Sequence, residues 1–267
     1  MKTNQPIGIF DSGIGGLTVT KAVAEQLPNE SIIYFGDTAH LPYGDKSAQT
    51  VQGYTKKIAD FLLARNVKLI LIACNAASAA AYELLKDYIG DRAVLLNVID
   101  PVVDFLGANY AVKRVGLIGT KLTVQSQVYQ QKISALARQI DFHALATPLL
   151  VPIIEEGFFE HKLIEIALAE YLAHSTLQNI EALVLGCTHY PVIKKSIANF
   201  YKNKIDIIDA AKIVANKVEA TLISHGIHSS TTTPKHHFYV SDYTEGFAKG
   251  TRLFFGEEIK VELVDIF

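Results

Sequence analysis

The sequence predicts an α/β fold with mainly parallel sheets, and two observations support this prediction. Short apolar or β-branched runs alternate along the 267 residues with charged segments of helix length. Two of these runs lead directly into Cys74 and Cys187, the only cysteines of the chain. Unbroken apolar runs between helix-like segments are typical of strands in a parallel sheet, because helices cover both faces of such a sheet.

The predicted strands follow these apolar runs in order. They cover residues 7–10, 31–35, 68–73, 93–98, 114–118, 140–144, 182–185 and 205–208. The segments between them predict helices at 16–26, 48–65, 76–89, 123–138, 161–174, 192–201 and 210–225. The polar, turn-rich segment 227–234 predicts a loop, and the run after it predicts a last strand at 238–241.

The strand and helix pattern runs twice along the chain. Segments 7–13 and 115–120 are each a strand that ends in a hydroxyl-bearing turn, and each precedes a cysteine-terminated strand by about 60 to 70 positions. The repeat is weak in residue identity. Two α/β units that face each other would place Cys74 and Cys187 across one cleft, at the strand ends where α/β proteins place their active sites.

Composition limits the class of partner. Lys and Arg number 25 and Asp and Glu number 27, which gives a formal charge of -2 and no broad basic field for nucleic acid or an anionic membrane. No apolar run reaches the roughly 18 residues of a membrane span, and no stretch resembles a signal peptide. We therefore expect a cytoplasmic protein with small-molecule partners. In that reducing compartment free thiols are expected, although one disulfide between the two cysteines stays open.

The two cysteines are candidates for acid and base chemistry. Each is expected to face the N-terminus of the next helix, where free N–H groups and the helix dipole favour a thiolate. A single cysteine at the end of a strand is usually a small buried hydrophobic residue. Two cysteines in matching contexts instead indicate a pair of bases.

Two loops carry polar groups at predicted strand ends. The first, residues 11–16, has the setting of a phosphate or dinucleotide loop, but Thr18 replaces the third glycine and the lysine of a P-loop is absent. It retains a carboxylate, a hydroxyl and several backbone N–H groups. The second loop, 36–44, is either a functional loop or a tight connection in which Tyr43 packs and Gly44 turns.

Other titratable residues have weaker signals. His189, two residues after Cys187, could orient or polarise that thiol or a substrate carboxylate. Glu155 and Glu156 either end a helix in solvent or place one carboxylate in the cleft. The histidines near the late polar loop lack the paired spacing of a zinc site, so no metal is predicted. These histidines are His225, His228, His236 and His237.

Several motifs together resemble the glutamate racemases of the aspartate/glutamate racemase superfamily. They follow the order of that family along essentially the whole chain. They are Asp11-Ser12-Gly13, Pro42-Tyr43-Gly44, Cys74-Asn75, Thr120 and Gly186-Cys187-Thr188-His189-Tyr190-Pro191. The resemblance implies two α/β domains of pseudo-twofold relation, with Cys74 in a domain of residues 1–97 plus 209–267 and Cys187 in a domain of residues 98–208. The active site is then expected in the interdomain cleft, and a homodimer is expected from the family.

The resemblance also implies the reaction. Racemising glutamate removes the Cα proton from one face and returns a proton to the other, so a base and an acid must flank the carbon. In the family Cys74 corresponds to the base for D-glutamate and Cys187 to the base for L-glutamate. No cofactor is expected, and the D-glutamate produced would supply peptidoglycan precursors.

The remaining site residues are carried over by resemblance. Asp11, Glu155 and His189 match the assisting ionisable residues, with Asp11 near one thiol and His189 near the other, and Asp37 could serve in the same surroundings. The expected substrate-binding residues are Asp11, Ser12, Pro42, Tyr43, Gly44, Asn75, Ala76, Thr120, Thr188 and His189.

One residue departs from the family pattern. Ala76 stands where threonine is common, which removes a hydroxyl worth about 1 kcal/mol as a hydrogen bond but keeps the backbone N–H. This departure bears on substrate identity, so an aspartate or other amino-acid racemase of the same superfamily stays open. A non-catalytic amino-acid sensor is a separate alternative. A pyridoxal-phosphate racemase would need a Schiff-base lysine, and no lysine has a convincing setting.

Overall fold

The computed structural model describes residues 2–136, 138–243, 251–252, 254–255 and 259–267. Within them the chain forms two parallel sheets with connecting helices, which confirms the predicted fold class. The strands are β1 (Ile7–Asp11), β2 (Ile32–Gly36), β3 (Leu69–Ile72), β4 (Val94–Asn97), β5 (Arg114–Gly119), β6 (Asp141–Ala146), β7 (Ala182–Gly186), β8 (Asp206–Ile208), β9 (His236–Val240) and β10 (Val261–Leu263).

The helices alternate with the strands. They are α1 (Leu17–Gln26), α2 (Ala48–Ala64), α3 (Asn75–Ile89), α4 (Ile99–Asn109), α5 (Lys121–Gln125), α6 (Val128–Ala135), α7 (Leu150–Glu155), α8 (Lys162–Leu172), α9 (Lys194–Phe200) and α10 (Ala210–Ser224). Short 3₁₀ helices lie at Thr38–His40, Tyr43–Asp45, Gly90–Arg92, Phe158–Glu160, Ser175–Leu177 and Tyr190–Ile193.

The strand order places the two cysteine-terminated strands inside their sheets. In the described residues the first sheet has the order β10-β9-β2-β1-β3-β4 and the second β6-β5-β7-β8, with every pairing parallel. The chain passes from the first sheet to the second between β4 and β5 and returns between β8 and β9. Strands β3 and β7 each have neighbours on both sides. The cysteine that follows each of them therefore lies at an inner position along the carboxyl edge of its sheet.

Strands β1 to β9 lie close to the predicted runs, whereas β10 was not predicted, and the helices differ in three places. The predicted helix 123–138 divides into α5 and α6 around Gln127, whose φ of 55° is left-handed and cannot continue a helix. Helices α4 and α7 were not predicted. Each has a proline in its first turn, Pro101 and Pro152, where the missing N–H costs no intrahelical hydrogen bond.

The two halves share apolar packing. One cluster of buried side chains includes Ile9 and Leu71 of the first sheet together with Ile118 and Leu185 of the second. Helix α10 packs against both α1 of the first half and α4 of the second half. It therefore connects the two halves where the chain returns to the first sheet. Within the described part of the chain, no helix combines the length and the apolar character that a bilayer span requires.

Candidate active site

Cys74 and Cys187 line one small cavity together. Both cysteines are free thiols and are buried, with 5% and 8% of their surface exposed. Predicted residues that line the cavity are Ser12, Pro42, Tyr43, Gly44, Cys74, Asn75, Ala76, Thr120, Cys187, Thr188 and His189. Leu41, Thr123, Val151 and Gly186, which sequence reasoning did not single out as site residues, line it as well.

Cys74 is the N-cap residue of α3. Its sulfur accepts a hydrogen bond from the Ala77 N–H (3.4 Å), and its thiol donates to Ser12 Oγ (3.6 Å). The expected helix N–H contact is therefore present. Burial and the nearby Asp11 carboxylate nevertheless outweigh it and raise the pKa of Cys74 well above its usual value. The resting form of Cys74 is the protonated thiol.

Asp11 lies behind the cavity wall rather than in the lining. Its Oδ2 accepts from the N–H groups of Gly13 (3.2 Å) and Gly16 (2.9 Å), and its Oδ1 accepts from Thr188 Oγ1 (3.4 Å). A Cβ on Gly16 would lie 2.4 Å from the Cβ of Asp11, so only glycine permits this approach. The N–H groups of these glycines therefore bind a carboxylate of the chain itself. Through the same carboxylate the loop also contacts Thr188, a cavity residue of the second half.

Cys187 follows β7 and shares its surroundings with His189. The sulfur lies 3.7 Å from Nδ1 of His189, and Nε2 of the same ring contacts Glu155 Oε1. Burial disfavours the charged imidazolium, but the contacts with Cys187 and Glu155 outweigh burial and hold the pKa of His189 well above its usual value. The structure brings Glu155 to this site and leaves Glu156 exposed.

The loop after β2 lines the cavity and also forms a tight, packed connection. The functional and the structural interpretation of its sequence therefore both apply. Tyr43 is buried, and its hydroxyl donates to Asp37 Oδ2 (2.5 Å). Asp37 also accepts from Ser241 Oγ (2.7 Å), so it ties this loop to the end of β9. A Cβ on Gly44 would lie 2.4 Å from Thr120 Cβ, which shows how closely the loop approaches the second half.

The last wall of the cavity combines α3 and α5. Asn75 and Ala76 form the first turn of α3, and Thr120 is the N-cap of α5, where its Oγ1 accepts from the Thr123 N–H (3.4 Å). Asn75 Oδ1 accepts from the hydroxyl of Tyr129 (2.8 Å). No sequence signal indicated Tyr129, because a tyrosine inside a helical segment gives no sign of its tertiary partner.

The arrangement supports proton transfer to and from a small ligand. One thiol comes from each half, and the donors that line the cavity among the described residues are hydroxyls, an amide, an imidazole and backbone N–H groups. No group of three or more described His, Cys, Asp or Glu side chains is placed to hold a metal ion.

Two parallel sheets with a thiol from each half at a shared cavity are suited to an enzyme that moves protons on a small molecule. Residues 7–218 match the sequence model of the Asp/Glu/Hydantoin racemase family, and the chain belongs to that family. Several glutamate racemases are among its relatives. The glutamate racemase of Chlorobaculum parvum is 42% identical over 263 residues, which cover 97% of this chain and 96% of the relative.

Solved structures agree with the sequence comparison. The crystal structure of glutamate racemase from Francisella tularensis subsp. tularensis in complex with D-glutamate is 37% identical, with a TM-score of 0.91 and coverage of 99% of this chain and 98% of that one. Glutamate racemase isoform RacE1 of Bacillus anthracis is 31% identical, with a TM-score of 0.92 and coverage of 98% of both chains. The resemblance seen in the sequence motifs is confirmed.

Proposed function

We propose that this chain interconverts L-glutamate and D-glutamate by moving the Cα proton between two thiols. The observation that carries the proposal is the pair of free thiols, one from each half, at a single buried cavity. The similarity to glutamate racemases over nearly the whole chain supports glutamate as the substrate.

In the proposed reaction, Cys187 removes the Cα proton of L-glutamate while Cys74 protonates the opposite face. The raised pKa of Cys74 suits its role as the acid in this direction, because the group begins as a thiol. The imidazolium of His189, next to the sulfur of Cys187, can stabilise negative charge there. The roles exchange when D-glutamate is the substrate, since a racemase must run both ways through the same transition state.

The charge that develops on the substrate needs fixed donors, because no cofactor is proposed to accept it. Ser12, Asn75 and the N–H groups in the first turn of α3, which includes Ala76, are the proposed donors to the substrate carboxylates, and Thr188 lines the same cavity with its hydroxyl bonded to Asp11. We assign Asp11 and Glu155 supporting roles, through Thr188 and His189 respectively, since neither lines the cavity in the described residues.

The domain boundaries remain at residues 1–97 plus 209–267 and 98–208. The allocation of strands supports this division, since β5 to β8 form the second sheet and the other described strands form the first. We propose that the D-glutamate enters peptidoglycan precursors, as the family implies. Both thiols must be reduced for the proposed chemistry, which supports a reducing compartment such as the cytoplasm.

A homodimer is proposed through the face of α7 and α8. Leu149, Phe158, Leu163 and Ile166 are exposed apolar side chains in or next to these helices, and Leu163 and Ile166 share one helix face. Ile166→Lys should convert the dimer to a monomer in analytical ultracentrifugation. A dimer that survives this substitution would show that another face is used.

The racemase assay separates the remaining alternatives. Purified protein is incubated with L-glutamate, D-glutamate or L-aspartate, with a chelator and no added cofactor, and optical rotation is followed. We expect both glutamate enantiomers to reach a racemic mixture and aspartate to react far more slowly. Faster conversion of aspartate would favour the aspartate racemase alternative. Binding of glutamate by calorimetry without turnover would favour the sensor.

Glu155→Gln should lower the pKa of His189, because the imidazolium loses its carboxylate partner. The imidazolium then deprotonates at lower pH, so the alkaline limb of the activity profile should move to lower pH. NMR titration of the His189 ring checks the pKa directly. Glu156→Gln removes the neighbouring exposed carboxylate and is the matched control. Equal profiles for the two variants would contradict the role of Glu155.

A further inference from the structure

A buried hydrogen bond joins the two halves directly at the cavity. Tyr129 lies on α6, on the side of the second sheet, and its hydroxyl donates to Oδ1 of Asn75, the first residue of α3 (2.8 Å). Tyr129 is 3% exposed and Asn75 is 4% exposed. Asn75 also follows Cys74 directly in the chain, so the bond ends beside a reacting thiol.

The bond occupies the oxygen end of the Asn75 amide and leaves the nitrogen end available to a ligand. Because Oδ1 accepts from Tyr129, Nδ2 is the atom of that side chain able to donate into the cavity. The reverse orientation would present an oxygen to a negatively charged carboxylate, which is repulsive. An amide held the right way round before the ligand arrives does not have to reorganise during binding.

We propose that Tyr129 is a positioning residue that fixes the Asn75 amide so that Nδ2 donates to a carboxylate of the amino-acid substrate. This inference rests on the proposed function, since it specifies how the same cavity holds glutamate. Through this bond, Tyr129 of the second half supports substrate binding by Asn75 of the first half.

Tyr129 is well supported for this role. Its ring is stacked against Phe142, with centroids 6.3 Å apart and planes at 21°. Burial, followed by the Asp100 carboxylate, raises the pKa of Tyr129 far above its usual value, so its hydroxyl keeps the proton that it donates. Since the ring packing does not involve the hydroxyl, Tyr129→Phe removes the bond and keeps the side-chain volume.

Steady-state kinetics with L-glutamate and D-glutamate test the proposal. Tyr129→Phe should raise KM by about tenfold in both directions and change kcat less than about threefold, as expected when the Asn75 amide that binds the substrate is no longer held in place. Tyr110→Phe is the matched control. It removes a hydroxyl that donates to Asp206 Oδ2 (2.9 Å) away from the cavity lining, and its KM should equal that of the wild type.

Two further variants separate positioning from a merely structural role. Asn75→Ala combined with Tyr129→Phe should be no worse than Asn75→Ala alone, because Tyr129 acts through Asn75. Asn75→Asp keeps an acceptor for Tyr129 and suits a helix N-terminus, so a structural role predicts that it is tolerated. The proposal predicts a larger rise in KM than for Asn75→Ala, because a carboxylate repels the substrate.

The outcomes are distinguishable from failure of the proposed function. A wild-type protein without racemase activity overturns the function itself. With an active wild type, the positioning role is overturned by a Tyr129→Phe KM within about twofold of the wild-type value, by additive effects in the double variant, or by a tolerated Asn75→Asp. Parallel losses of kcat and thermal stability without a selective KM effect would also overturn it.

Discussion

Cys187→Ser is expected to abolish racemisation in both directions, with a fall in kcat of about 10³-fold or more. A serine hydroxyl is a far weaker acid than a thiol, so it neither supplies a base at neutral pH nor donates a proton readily. Loss of a general acid or base typically costs about 10² to 10⁴-fold. Because each direction of the proposed reaction uses both sulfurs, one substitution blocks both directions.

Cys74→Ser is the matched variant, and the two should differ in isotope exchange rather than in racemisation. Any residual exchange of the Cα proton with D₂O should be confined to the enantiomer that faces the remaining thiol. This is L-glutamate for Cys74→Ser and D-glutamate for Cys187→Ser. Circular dichroism verifies that both variants are folded. Racemisation by either variant at more than about a tenth of the wild-type rate would contradict the two-thiol mechanism.

The second large effect is on stability and lies at the opposite end of the first sheet from the cavity. Lys68 Nζ lies 2.6 Å from Glu30 Oε2, and both side chains are fully buried. The ammonium also donates to the carbonyls of Thr3 (2.6 Å) and Ile227 (2.8 Å), while Glu30 Oε1 accepts from the Ser229 N–H (2.7 Å). These contacts tie the N-terminal segment and the loop after α10 to the starts of β2 and β3.

Lys68→Met should lower the free energy of unfolding by about 3–5 kcal/mol, because it leaves the Glu30 carboxylate buried without its counter-ion. Urea denaturation monitored by circular dichroism measures the change. Lys113→Met is the matched control. Its partner Glu181 is 3.5 Å away and both side chains are about half exposed, so the expected loss is at most about 1 kcal/mol.

The double variant Lys68→Met with Glu30→Leu refines this prediction. Removing both charges eliminates the uncompensated carboxylate, so stability should partly recover. Recovery should be incomplete, because the backbone groups of Thr3, Ile227 and Ser229 lose their side-chain partners. If Lys68→Met were no more destabilising than Lys113→Met, the ion pair would not hold these segments together.

The sequence predicted strands β1 to β9 because most of them are apolar runs of the kind that a buried parallel sheet requires. Helices α4 and α7 escaped prediction because Pro101 and Pro152 resemble helix breakers and are tolerated only in a first turn. The short edge strand β10 has Glu262 at its centre and no apolar run, so its pairing with β9 is visible only in three dimensions.

For the candidate site, the motifs at strand ends predicted the two thiols and most of the cavity lining. The sequence did not distinguish Glu155 from Glu156, because the choice depends on which carboxylate faces His189 after folding. It predicted a favoured thiolate at Cys74 from the helix N-terminus, whereas burial and Asp11 determine its protonation in the folded protein. Tyr129 was missed because its partner Asn75 lies on the other half of the molecule.

The most direct test of the two-thiol mechanism is racemisation in D₂O under reducing conditions without added cofactor. L-glutamate and D-glutamate are incubated separately with the wild-type protein, and optical rotation and Cα deuteration are followed together. We expect both to lose optical activity and deuterium to enter first chiefly the newly formed enantiomer, because different thiols remove and return the proton. Equal early labelling of the starting enantiomer, or no exchange by folded protein with both thiols free, would contradict it.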